Sequence, residues 1–262
     1  MTKDMTSGSP AKLIFGFAIP MFLGLLFQQF YSMVDTIIVG KFLGVDALAS
    51  VGSTGAVNFM VNGFVIGVTA GFAIPVAQQF GAQNYRNMRK YVANTIWLTI
   101  GFSVVMTAVI GALTWKILVW MRTPENIIQG AYNYIFIIFL GIPVTYLYNL
   151  TASIIRALGD SKTPVYFLIL SSLVNIVLDY ISINFLGMGV AGPACATVIS
   201  QGLSGILCVL YMKKKFTILH FQKGEMEFDG RMCLNLCNMG IPMGLQYSIT
   251  AIGSVILQTA VN

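Results

Sequence analysis

Seven times the chain runs through an apolar stretch long enough to cross a lipid bilayer, which takes about 20 residues. The stretches lie near residues 13–39, 52–80, 91–121, 127–155, 164–187 and 190–212, and a seventh begins near Cys237 and is still running at Asn262. In hydrocarbon every backbone N–H and C=O must be paired within the protein, so such stretches become helices. Only 9% of the residues are charged, 56% are hydrophobic and the mean hydropathy is +0.79; a soluble domain carries about 25% charged residues. These features predict an all-α polytopic membrane protein and exclude a soluble enzyme. Because the last stretch is unfinished, the sequence reads as part of something longer.

The pI of about 9.2 raises the question of nucleic acid, and the placement of the charges answers it. With the N-terminus inside, the inner segments hold twelve Lys and Arg, including Lys3, Lys12, Arg86, Arg156, Lys162 and Lys213 to Lys215, and the outer loops hold three, Lys41, Lys116 and Arg122. That accounts for all fifteen and leaves no basic residue for the membrane. The asymmetry predicts a cytoplasmic N-terminus and no nucleic-acid partner.

Seven of the nine acids, Asp4 among them, fall in loops or tails. The exceptions are Asp35, inside "FYSMVDTIIVG", and Asp179, inside the fifth stretch. A carboxylate at the centre of a spanning helix costs at least about 2.5–3.5 kcal/mol. Both acids lie past the midpoints of helices that run from inside to outside, hence at similar depth. With no buried Lys or Arg to pair them, they predict a site for a cation or a proton. Residues three or four apart share a helix face, which places Gln28 and Ser32 in a stripe with Asp35, and Ser171, Asn175 and Ser182 in one with Asp179. Thr197, Gln201 and Ser204 form a third, Thr145, Asn149 and Ser153 a fourth, and Asn58 and Asn62 a fifth. In lipid these faces turn towards protein or a water-filled cavity, so Gln28, Ser32, Asn58, Asn62, Asn149 and Gln201 are expected to line one.

Other features have plainer readings. Gly63, Gly67 and Gly71 make two overlapping GxxxG steps that allow close helix approach. "GMGVAG" at 187–192 matches a dinucleotide fingerprint literally, but it joins two spans and follows no soluble strand. Pro20 lies within the first span and is expected to kink it. The four cysteines have neither redox nor zinc spacing, and His220 stands alone in a polar loop. Aligned at an offset of 222, Ile19, Pro20, Met21, Leu23, Ser32 and Val39 match Ile241, Pro242, Met243, Leu245, Ser254 and Val261. That is the mark of parallel six-helix repeats.

The stretches "IPMFLGLLFQQFYSMVDTIIVGKFLGVDALASVG", "VAQQFGAQNYRNMRKYV", "IIRALGDSKTPVYF" and "NIVLDYISINFLGMGVAGPACATVISQ" together resemble the multidrug and toxic compound extrusion (MATE) family, especially its bacterial DinF-like branch. The resemblance implies the six-helix N-lobe of a two-lobed transporter, residues 1–212, a cytoplasmic linker, 213–236, and the first helix of a C-lobe, 237–262, whose remainder is a missing partner. It implies a multi-pass protein of the bacterial cytoplasmic membrane, in contact with lipid. The activity implied is export of small, often cationic, amphipathic organic compounds and drugs against H⁺ or Na⁺, with no other cofactor. In that branch the cation network falls on Asp35, Asn175, Asp179 and Thr197. Were the ion Na⁺, Asp35 and Asp179 would ligate it with oxygens from the other two. Pro20 matches the family's hinge proline. The alternative is a flippase of lipid-linked precursors, disfavoured because such proteins tend to carry cations in the central cavity and these spans hold none.

Overall fold

The computed structural model describes residues 8–261, without the side chain of Val261; Lys3, Asp4 and Asn262 lie outside the described residues. Eight α-helices and one short 3-10 turn, with no strand, occur among them: α1 (Pro10–Leu43), α2 (Val45–Gly81), α3 (Tyr85–Trp120), α4 (Glu125–Leu140), α5 (Ile142–Ala157), α6 (Thr163–Asn184), α7 (Ala191–Lys215) and α8 (Gly230–Val261). Six are long and apolar enough to cross a membrane, and α4 with α5 make a seventh span as a bent pair. With that pair counted as one span, the layout matches the seven stretches of the sequence.

The span expected as one helix over 127–155 is broken, with α4 and α5 meeting at 47° around Gly141. Two causes coincide there. Pro143 lacks an N–H and its ring opposes the carbonyl one turn earlier. Gly141 also lets α7 in close, since a Cβ on it would fall 2.5 Å from Val198 Cγ2. Helix α1 runs through Pro20 without interruption, so the proline lies inside one continuous helix. Helix α7 continues to Lys215 and α8 starts at Gly230, so the connection between them is shorter than the 213–236 linker that the resemblance implies.

That connection is clamped to the start of α3. Arg89 grips the Glu225 carboxylate with two nitrogens, at 2.6 and 2.8 Å, and donates to the Ile218 carbonyl at 3.3 Å. Its guanidinium holds the Glu225 carboxyl down to about 2, despite burial that works the other way. One turn on, Asn94 Oδ1 accepts from the Asp229 N–H at 2.8 Å, and Trp97 Nε1 donates to the Met226 carbonyl at 3.1 Å. Phe216 and Leu219 bury beside Met88 and Val92.

Helix α8 lies along α2. The glycine steps of α2 are the reason: a Cβ at Gly71 would fall 2.6 Å from Gly240 Cα, and one at Gly67 would fall 2.7 Å from Gly244 Cα. Small residues on both helices let the backbones touch. The opposite side of α8 stays apolar and exposed, with Ile249, Ile256 and Leu257 each more than 60% exposed.

Candidate functional site

The turn read as a false fingerprint positions the site. Gly187 and Gly189 hold φ of 59° and 56°, left-handed values that favour glycine. Gly192 then passes so near α6 that a Cβ would fall 2.5 Å from Ser182 Oγ. This tight return lays α7 along α6 and puts Thr197 opposite Asn175. At the other end of α6, Asp160 accepts from the Lys162 and Thr163 backbone N–H groups at 3.1 and 3.0 Å. Burial would raise its pKa, but these bonds and those from the Thr163 and Tyr211 hydroxyls hold it below the usual range. Gly24 brings α1 against α6, where a Cβ would meet Val165 Cγ2 at 2.9 Å.

The three helices then converge on one buried cluster. Asn175 and Asp179 are fully buried and Asp35 nearly so. In the amide orientation that satisfies its neighbours, Asn175 Nδ2 donates to Asp179 Oδ2 at 3.0 Å and to the Tyr31 hydroxyl oxygen at 2.9 Å, while its oxygen accepts from the Thr197 N–H at 3.0 Å. The carboxyls of Asp35 and Asp179 are within hydrogen-bonding reach of each other. Asp35 Oδ1 and Asp179 Oδ1 are buried without a hydrogen-bond partner among the described residues. A hydrogen bond between two carboxyls requires a proton on one of them. The alternative for such a pair is a cation, and the donors on offer, carboxylate, amide and hydroxyl oxygens, are those a hard ion takes. All four residues assigned to the cation network are thus brought together.

Asp35 and Thr197 also face a cavity of about 1280 Å³ that runs between α1, α2, α5, α6 and α7 towards the basic end of the bundle. Gln28, Ser32, Asn58, Asn62, Asn149 and Gln201 all line it. Thr145 Oγ1 donates to Gln201 Oε1 at 2.9 Å, tying α5 to α7. Pro20 is not among the lining residues, although its neighbours Phe17 and Met21 are.

Three residues escaped the sequence reading. Tyr31 lies one turn before Asp35 on the same face of α1, so the stripe rule could have found it. Tyr134 comes from α4, is buried, and lines the same cavity as Asp35; no local pattern marks it. Arg156 corrects the claim that no cation is left for the spans: it closes the Thr145–Asn149–Ser153 stripe within α5 and lines the cavity. The argument against a flippase from missing cations therefore loses its premise.

The MatE family profile matches residues 20–181. The chain is 32% identical over 253 residues to the "Probable multidrug resistance protein YoeA" of Bacillus subtilis, covering 94% of this chain and 55% of that protein. It is 31% identical over 263 residues to the "Probable multidrug resistance protein YpnP" of the same organism, covering 99% and 58%. The chain thus spans a little over half the length of these curated relatives. Among solved structures, a MOP superfamily transporter from Pyrococcus furiosus superposes with a TM-score of 0.84 at 26% identity, over 93% of this chain and 54% of that one. An outward-facing MATE family transporter superposes with a TM-score of 0.86 at 24% identity, over 94% and 55%, which speaks to the fold alone.

Proposed function

The chain belongs to the MatE family, and on that premise we propose that it forms the N-terminal part of a secondary transporter exporting small organic compounds in exchange for H⁺ or Na⁺. The carrying observation is the Asp35–Asp179 pair, two carboxyls within reach of each other, each with an orphaned oxygen, beside a large polar-lined cavity. A proton shared by the pair, or a Na⁺ held by it with Asn175 and Thr197, removes negative charge from the centre of the lobe. Helix α1 carries both Asp35 and Tyr31, so occupancy of the pair biases how α1 packs against α6, with Pro20 as the point of give. Coupling follows if cation and substrate favour different packings, because each then shifts the other's affinity. The second lobe, which relatives of about twice this length have room for, supplies the other wall of the cleft. The basic end of the bundle faces the cytoplasm of a bacterial cell.

The test is uphill efflux of a fluorescent amphiphile by the protein carrying both lobes, under imposed proton or sodium gradients. Asp35→Asn is expected to abolish it while insertion and folding stay intact, and Asp179→Asn to do nearly the same. Wild-type pumping by Asp35→Asn would return Asp35 to a packing role and refute the reading.

A further inference from the structure

Arg156 has no evident part in the cation network. Among the described residues lining the cavity there is one acid, Asp35, and one base, Arg156. They do not pair. Asp35 belongs to the Thr197 end of α7, and Gln201, one turn on, is bonded to Thr145 on α5. Arg156 lies eleven residues further along α5, about 16 Å at 1.5 Å per residue. The acid nearest in sequence, Asp160, is taken: it caps α6 and accepts from the Tyr211 hydroxyl at 2.8 Å. The ion pair found among the described residues is Arg89 with Glu225. Among the described residues Arg156 keeps one protein acceptor, Ser153 Oγ at 3.0 Å, out of five N–H donors.

We propose that Arg156 anchors an anion subsite at the basic end of the cavity, which holds the carboxylate or phosphate group of an amphipathic molecule. A half-buried guanidinium without a counterion is costly, and its planar fork fits an oxyanion with two bonds. The C-terminal end of α5 offsets part of the charge, since a helix end carries only about half a unit of negative charge. The rest is left for the ligand. The cavity itself adds a second argument. Once a coupling cation neutralises Asp35, Arg156 is the remaining formal charge on the described wall. An organic monocation then gains nothing from this lobe at that end, whereas a zwitterion or anion does. The inference rests on the transport reading only for the word substrate; the binding it asserts needs no gradient.

Two dyes test it, rhodamine 110, with a free carboxyl, and rhodamine 123, its methyl ester, titrated by fluorescence anisotropy against the purified 262-residue chain in neutral detergent. Wild type is expected to bind rhodamine 110 about tenfold more tightly, the scale of one charge-assisted contact. Arg156→Gln should erase that preference while leaving rhodamine 123 binding unchanged, which also reports an intact fold, and Arg156→Lys should restore part of it. Phosphatidylglycerol that displaces rhodamine 110 from wild type but not from Arg156→Gln would identify a lipid phosphate as an occupant. No displacement would restrict the subsite to soluble amphiphiles. The proposal is overturned if wild type binds both dyes equally, binds neither, or if Arg156→Gln weakens both by the same factor. An Asp35→Asn protein that keeps the dye preference and still pumps at the wild-type rate would sink the antiport reading and leave this one standing.

Discussion

Gly67→Ala adds a single methyl group to α2, and the structure indicates what it must displace. The new Cβ would fall 2.7 Å from both Cα and N of Gly244 and nearer still to the Met243 carbonyl oxygen. Ordinary carbon contacts lie at about 3.5–4.0 Å, so the gap to be opened is about 1 Å. Every atom in the way is backbone, so no side-chain rotation relieves the clash and α8 itself must retreat. A retreat of 0.5–1 Å forfeits about a quarter to a half of the dispersion energy along the seam, and overpacking of this kind costs about 1–3 kcal/mol. Gly71→Ala meets the same obstacle, with Gly240 Cα at 2.6 Å and the Met239 carbonyl oxygen at 2.7 Å. One retreat of α8 serves both methyls, so the double variant should lose less than the sum of the singles. Gly101→Ala in α3 is the control, since nothing lies within 4 Å of its Cβ, and there alanine should gain up to about 1 kcal/mol from lower backbone entropy. Reversible unfolding of the purified chain in mixed micelles measures all four. If Gly67→Ala were as stable as Gly101→Ala, or the two α2 costs simply added, the account of the seam would be wrong.

Two further outcomes follow from the clamp on the connection. Glu225→Gln should loosen residues 216–229, read as faster amide exchange at Gln222 and Asp229, with a loss of about 1.5–3 kcal/mol for the charged hydrogen bonds. Acid should do the same: Arg89 holds the Glu225 carboxyl at about 2 against an ordinary 4.5, so its contribution is full above about pH 4.5 and fades as the pH falls towards 2; exchange that stays flat across that window would refute the clamp. For topology, a cysteine placed at Lys223 should react with a membrane-impermeant maleimide in inside-out vesicles and not in intact cells, and strong labelling of intact cells would invert the orientation.

The sequence by itself determined the helical class, the stretches that can span and most of the residues that the candidate site brings together. A bilayer leaves no other way to satisfy so long an apolar backbone, and it makes each intramembrane acid or amide conspicuous. Asp35, Asp179 and the polar stripes stand out against the apolar residues around them, and a stripe at helical spacing already says which residues share a face. Periodicity within one helix cannot say which faces meet, however. That Asn175 bridges Asp179 to Tyr31 depends on the Gly187–Gly189 turn and on Gly24 bringing three helices together. Tyr134 lines the same cavity as Asp35 from a helix whose polar residues, Gln129 and Asn133, do not line it. The break at Gly141 needed both a proline and the approach of Val198, and only the first is written locally. Arg156 was assigned to a loop because hydropathy fades at a helix end, while the cavity extends that far. The partner of the α2 glycines was equally hidden, because a small-residue stripe announces a close neighbour without naming it. Tertiary packing made that choice, pairing Gly67 and Gly71 with Gly244 and Gly240, where two backbones can touch only if neither carries a side chain.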